Sequence, residues 1–282
     1  MRIQTKEKIC LITGASSGIG KETALVLAKA GFRVAILGRD KEKINTAGKE
    51  ISEKTGNDRI EGYVCDLSSF DSIKRFVWDF SNRHKYLDVL VNNAGVLTKE
   101  RQISKDGYEM HFAVNYLAPF LLTNLLLPLL KNGVPARVIN VSSTMHTEGH
   151  IDFDDIESEK DFDGYRAYGN SKLALILFTK SLAKNLLGTG ITVNALHPGW
   201  VKTELAFGAF SNKLARLLSS ARMITPQKGA ATSIYLAVSP EVEKITGKYF
   251  VNCREAETSS ESKDEKIAGR LWKKSIQIVG LT

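Results

Sequence analysis

Short, continuously apolar runs recur along this chain, each followed by a stretch with helical spacing. Such runs lie at 8–13, 33–38, 62–66, 87–92, 137–142, 191–196 and 248–251, and helical patterns begin near Ile19, Lys41, Ser68, Gly107, Tyr168 and Pro226. A strand with one wet face alternates apolar and polar residues, whereas a strand covered on both faces reads as an unbroken apolar run. Strand–helix alternation of this kind, with right-handed crossovers, builds a parallel sheet with helices on both faces. The expected fold is therefore α/β: a doubly wound, mostly parallel sheet of about seven strands in a single domain over 1–282, closed by a C-terminal helix near 263–278. Asp40 is placed to cap the second helix and Gly31 to end the first. Pro119 lies inside the 107–130 pattern, where its missing N–H should bend a helix or mark a helix start. The polar run 255–266 reads as a surface segment leading into the last helix.

Thr13-Gly14-Ala15-Ser16-Ser17-Gly18-Ile19-Gly20 joins the first strand to the first helix. Glycines in that position let the backbone turn tightly and approach a pyrophosphate at the helix N-terminus, as in Rossmann folds. A plain tight turn uses the same residues, and the strand–loop–helix context is what favours a dinucleotide. The second strand ends Gly38-Arg39-Asp40. An acid there binds a ribose 2′-hydroxyl and an Arg suits a 2′-phosphate. Arg39, with Lys21 assisting, favours NADP(H). Asp40 keeps NAD(H) open, although helix capping explains it equally well.

Tyr168 and Lys172 stand four apart, on one face of a helix. A neighbouring cation favours phenolate and lowers a tyrosine pKa, which suits proton exchange near neutrality. An amphipathic helix with Tyr at the core edge and Lys in water accounts for the same two residues.

The net charge is +8, but the basic residues are scattered and not interleaved with aromatics, so no nucleic-acid partner is expected. The excess suits an anionic cofactor or a membrane surface. Cys10, Cys65 and Cys253 have no metal or disulfide spacing, the five histidines form no ligand cluster, and no metal is expected. The first eight residues hold no apolar signal core, and no run reaches the roughly 18 apolar residues of a membrane span. A soluble, cytoplasmic protein in a reducing compartment is expected, with peripheral membrane contact allowed.

With these pieces placed, the chain resembles the short-chain dehydrogenase/reductase family over nearly its whole length. The resemblance rests on residues 13–20, Asp66-Leu67, Asn92-Asn93-Ala94-Gly95, Asn115, Ser142-Ser143, Tyr168-x-x-x-Lys172 and Pro198-Gly199. The stretch 111–117, His197-Pro198-Gly199 and Leu271-Trp272 resemble its retinol dehydrogenase-like branch, whose members act on lipophilic aldehydes and ketones. The resemblance implies that Tyr168 is the acid/base and that Lys172 lowers its pKa and binds the nicotinamide ribose. It also implies that Ser143 orients the carbonyl and that Asn115 holds a water linking Lys172 to solvent. Cofactor contacts would come from Gly14, Ser16, Ser17, Gly18, Ile19, Gly20, Arg39, Asp66, Leu67, Asn92, Ala94, Gly95, Tyr168 and Lys172. Val141, Pro198, Gly199, Val201 and Thr203 would line the nicotinamide end. Strand period and the family pattern favour Ser143 over Ser142, whose hydroxyl would satisfy nearby backbone.

Ser143 and Tyr168 are 25 residues apart (168 − 143), more than in compact family members, so 146–163 forms a loop or small helix beside the site. The branch often carries an N-terminal membrane anchor, which these residues do not supply. A substrate lid over about 200–225 includes Leu205, Phe207, Phe210, Leu214 and Leu217 with Lys213, Arg216 and Arg222. An apolar lid suits a small lipophilic carbonyl or alcohol, a membrane-surface helix fits the same pattern, and so does a helix packed on its own core. The family implies dimers or tetramers through the helices of Asn115 and Tyr168, or monomers on membranes. Competing readings are an NADP(H)-binding redox sensor without turnover and an epimerase or dehydratase.

Overall fold

The computed structural model describes residues 7–203 and 223–281. The lid expected over 200–225 therefore lies, across 204–222, outside the described residues. One sheet runs in the order β3-β2-β1-β4-β5-β6-β7-β8. Its strands are β1 (Ile9–Thr13), β2 (Arg33–Gly38), β3 (Ile60–Val64), β4 (Val89–Asn92), β5 (Ala136–Val141), β6 (Ile191–His197), β7 (Tyr249–Val251) and β8 (Arg254–Glu255). All neighbours are parallel except β7 and β8, so the expected seven strands become eight through a two-residue antiparallel return. Strand order reverses at β1, which lies between β2 and β4. In open α/β sheets that is where ligands bind, outside the carboxyl ends of the strands.

The helices divide between the two faces by strand parity. Cys10, Ile12, Val89, Val91 and Ile139 face α1 (Gly18–Lys29), α2 (Lys41–Thr55) and α7 (Pro226–Val238), meeting Leu27, Ile44 and Leu236. Leu11, Leu90, Val138 and Val193 face α3 (Phe70–Arg83), α5 (Ala118–Asn132), α6 (Gly164–Asn185) and α8 (Glu265–Val279). Both sides of the central strands β1, β4, β5 and β6 are dry, which is why these strands read as unbroken apolar runs. On the second face Phe120 packs against Phe178 and Trp272, with ring centroids 5.1 and 5.0 Å away.

A polar strut crosses this apolar layer. Asn92 Nδ2 donates to Asn140 Oδ1 at 2.8 Å and to Thr123 Oγ1 at 3.0 Å, and Asn140 Nδ2 donates to Thr179 Oγ1 at 2.9 Å. These bonds tie β4 and β5 to α5 and α6. They also turn the Asn92 side chain into the core, where the resemblance had it meet a ribose.

The expected 107–130 helix starts at Met110 and changes gauge. A short α4 (Met110–Phe112) opens into a π-helical turn, Ala113–Leu117, and continues as α5. Pro119 accounts for the change: in an α-helix its ring would strike the carbonyl of Asn115, four residues back, and could not donate to it. Widening the turn removes the conflict. Residues Met110–Asn132 are long and apolar enough to cross a membrane, against the expectation that no stretch is, but 78% of the apolar 18-residue window within them is buried inside the fold.

Candidate active site

At the crevice beside β1 the backbone of the glycine loop is clamped by Asn93. Its Nδ2 donates to the carbonyls of Thr13 (2.8 Å) and Gly14 (3.2 Å), while the N–H groups of Asn93 and Ala94 both donate to Thr13 Oγ1 at 2.9 Å. Gly14 adopts φ +66°, and a Cβ there would come within 2.9 Å of Ala94 Cα. At Gly20 a Cβ would lie 2.6 Å from both Asn93 Nδ2 and the Gly14 carbonyl. The loop thus packs directly on the β4 end. Asn93 and Thr13, which the sequence reading quoted within motifs but assigned no role, hold it there. Strand period could have found them, because Asn93 must face opposite to the inward Asn92.

Ser17 is the N-cap of α1 but makes no side-chain cap bond, and the first turn contains no acid. The leading N–H groups and the positive end of the helix dipole thus face the loop without an internal acceptor. At the end of β2, Asp40 accepts from the N–H groups of Glu42 and Lys43, so its carboxylate is occupied in capping α2. Lys21, expected to assist a 2′-phosphate, is paired with Glu50. Arg39 is exposed. Asp66 accepts from Ser68 N–H and Oγ and pairs with Lys105 at 2.9 Å. Burial works to raise its pKa, but these bonds outweigh it and the carboxyl sits below its ordinary range.

Ser143, Tyr168 and Lys172 converge where β5 meets α6. All three are buried, at 8, 8 and 3% exposure, and Lys172 Nζ lies 5.4 Å from the Tyr168 ring centroid. Lys172 Nζ donates to the Val141 carbonyl at 3.0 Å. Ser142 Oγ donates to the Lys172 carbonyl at 3.0 Å, the backbone-satisfying role expected of it. Ser143 Oγ caps the 3₁₀ turn Thr144–Glu148 by accepting from Met145 N–H. Gly169 lets this turn rest on α6, since a Cβ there would lie 2.9 Å from the Met145 carbonyl.

Burial, more than mutual charge, governs the pair. It pushes the Tyr168 phenol up to about 12, against hydrogen bonding with the Ser143 hydroxyl, and pulls Lys172 down to about 8. The net shift of Tyr168 is thus upward, where the sequence suggests a lowering by Lys172, because desolvation of the phenol outweighs its favourable neighbours.

Asn115 Oδ1 accepts from Val96 N–H at 2.8 Å, and its Nδ2 donates to the Val96 carbonyl and to Ser171 Oγ, each at 3.0 Å. Its side chain fastens the segment after Gly95 to α6, so any water held by this residue falls to its carbonyl, which Pro119 cannot serve. Beside it the buried His111 accepts from Thr98 N–H through Nε2 and bonds Glu109 through Nδ1 at 2.7 Å, its ring edge-on to Tyr168.

The far side of the crevice is made by the chain after β6. Val201 bridges to Ile224, and a Cβ at Gly229 of α7 would strike it at 2.5 Å. A Cβ at Gly18 would meet Thr203 Cγ2 at 3.2 Å, so Thr203 stands over the glycine loop. Pro198 and Gly199 form the bend between β6 and this segment. Leu67, Ala94 and Gly95 line the β3 and β4 ends, partly exposed. A glycine-rich cradle, an uncapped helix start and an exposed Arg at the β2 end together fit a dinucleotide.

The model of the short chain dehydrogenase family matches residues 8–213. Mouse (Mus musculus) retinol dehydrogenase 13 is 46% identical over 281 residues, covering 97% of this chain and 84% of that protein. A crystal structure from Mycobacterium paratuberculosis superposes with TM-score 0.79 at 30% identity, covering 97% of this chain and 94% of that one. The NADP active-site complex of RhlG from Pseudomonas aeruginosa superposes with TM-score 0.71 at 31% identity, covering 86% and 93%.

Proposed function

The chain belongs to the short-chain dehydrogenase family and is an oxidoreductase that binds NAD(P), and from that premise we propose that it reduces a lipophilic aldehyde or ketone, of the retinaldehyde type, with NADPH. The observation that carries this reading is the convergence of Ser143, Tyr168 and Lys172 at the crevice behind the glycine loop. The preference for NADPH rests on Arg39, since Asp40 is used in capping. The lipophilic substrate rests on the name of the mouse relative and on the apolar residues expected in the lid.

NADPH, when bound, supplies the hydride. Ser143 Oγ donates to the carbonyl oxygen and holds it against the Tyr168 phenol, which gives up its proton as that oxygen gains charge. A phenol pushed up to about 12 is protonated at neutral pH, the form that reduction needs, and oxidation would have to begin from the disfavoured phenolate. Lys172, held by the Val141 carbonyl, would bind the ribose and re-protonate Tyr168, and the Asn115 carbonyl would hold a water linking it to solvent. Val141, Pro198, Gly199, Val201 and Thr203 would wall the nicotinamide, while Asp66 and Leu67 would border the adenine.

The test is Tyr168→Phe, assayed by NADPH oxidation with retinaldehyde and medium-chain aldehydes alongside NADPH binding. Reduction is expected to fall at least about a hundredfold, the scale of a lost general acid, with NADPH affinity retained. Wild-type-like turnover in the variant would refute the assignment.

A further inference from the structure

Neither the proposed chemistry nor the family match gives a role to His146, the last of the buried polar groups against the Ser143 turn. It is 1% exposed, and its two nitrogens meet groups of opposite character. Nδ1 lies 2.7 Å from the Ser143 carbonyl, which only accepts, so Nδ1 carries the proton. Nε2 lies 3.3 Å from the Ser259 N–H, which only donates, so Nε2 is bare. The surroundings thus specify one neutral tautomer. The ring is further held edge-on by Tyr249, with centroids 5.0 Å apart.

Ser259 is itself anchored. It belongs to the polar run after β8, which Lys180 of α6 grips at Thr258 Oγ1 (2.9 Å) and Ser262 Oγ (3.3 Å). Glu261 takes the N–H of Ile151 at 2.8 Å and bonds His150 Nδ1 at 2.9 Å. A stretch that sequence alone read as surface is thereby strapped across the turn. On the other side, His197 at the end of β6 accepts from Thr144 N–H through Nδ1 at 3.3 Å.

We propose that His146 is a positioning residue: its neutral Nδ1–H tautomer, braced by Ser259, sets the backbone of Ser143 and hence the aim of the Ser143 hydroxyl. The proposal rests on the reading above for what Ser143 does in turnover. The titratable groups facing His146 are Lys180 from α6, His197 from β6 and Tyr249 from β7. None of them is an acid that would welcome a second proton. Burial first, then the Lys180 charge, lowers its pKa, against the pull of the Ser143 carbonyl. Protonation would set a new N–H against the Ser259 N–H and break the brace, so the aim of Ser143 is lost on the acid side.

Three substitutions and one spectrum test this. His146→Phe keeps the ring and removes both bonds, His146→Asn keeps a donor near Nδ1, and His146→Gln keeps an acceptor near Nε2. The Phe variant is expected to lose about tenfold in kcat, the equivalent of one hydrogen bond, with NADPH affinity unchanged. Asn should restore more of it than Gln. Wild-type kcat in the Phe variant, or equal rescue by Asn and Gln, overturns the proposal. Nitrogen-15 NMR of labelled histidines in the wild-type protein needs no substrate and no variant fold. It should show His146 as the neutral Nδ1–H tautomer at pH 7, and an Nε2–H or cationic ring overturns the proposal. If the wild-type protein reduces no carbonyl at all, the functional reading fails, and the NMR result decides the proposal on its own.

Discussion

Gly14 is where the demands of the cradle can be measured separately from those of the backbone. Gly14→Ala imposes two costs: a left-handed φ of +66°, and a Cβ 2.9 Å from Ala94 Cα and 3.1 Å from Asn93 Nδ2. Gly31→Ala imposes only the first, since its φ is +87° and nothing lies within 4 Å of the added carbon. The conformational cost is about 1–2 kcal/mol at either site. At Gly14 the new methyl also pushes on the Asn93 clamp, whose bonds to the Thr13 and Gly14 carbonyls are worth about 1 kcal/mol each. Gly14→Ala should therefore cost roughly 1–2 kcal/mol more than Gly31→Ala, a further drop in Tm of about 2–5 °C for a chain of this size. Urea unfolding of both variants measures the difference, and fluorescence titration with NADPH measures the cradle. Gly14→Ala should weaken NADPH at least about tenfold, and Gly31→Ala should leave it unchanged. Equal destabilisation by the two substitutions, or unaltered NADPH binding in Gly14→Ala, would refute the idea that the loop is packed to its backbone limit.

Arg39→Ala should weaken NADPH about tenfold and leave NADH nearly untouched, the lower end for a charge-assisted hydrogen bond because the side chain is exposed; parallel titrations with both nucleotides decide, and an equal loss for both rules out a 2′-phosphate contact. The depressed Lys172 predicts a pH dependence of stability in the nucleotide-free protein. Between about pH 8, its folded value, and its ordinary value, the unfolded chain binds more protons at this lysine than the folded one, so the lysine's contribution to stability should rise with pH, against the buried Cys10 and Cys65 thiols, whose raised pKa values act with the opposite sign. Lys172→Met should flatten that rise when Tm is compared from pH 8 to 9.5. Work above about pH 10 is to be avoided because Tyr168, raised by burial, contributes with the opposite sign there. A Tm that falls across this window in the wild-type protein alone would contradict a lysine whose pKa burial depresses.

The sheet was legible because every central strand is dry on both faces, and the motifs were legible because each sits at a strand end, where local spacing fixes its place. Legibility failed where the answer depended on a distant partner. Lys21 looks free beside the glycine loop, yet Glu50 on α2 claims it. The run after β8 is polar in composition, and composition reports a need for hydrogen bonds, not whether water or Lys180 meets it. Asn92 was misread for a different reason: it shares the parity of Leu90, which packs toward α5 and α6, so strand period already pointed it inward. The pKa of Tyr168 could not be read at all, because the desolvation that raises it exists only once α6 is laid against β5.

The π turn before Pro119 has a consequence for which changes this region tolerates. It houses one residue more than an α-helix would need for the same advance, and so joins two rotational frames. Upstream, the frame carries His111 toward Thr98, and within the turn Asn115 reaches Val96 and Ser171. Downstream, it carries Phe120 and Leu121 into the aromatic layer. Losing one residue from 113–117 would return the turn to α-helical gauge with both frames kept, but would set the Pro119 ring against the carbonyl four residues before it. A substitution there leaves the wide turn in place, whereas a deletion restores the clash that the turn avoids. At this point of the chain, length is held more tightly than identity.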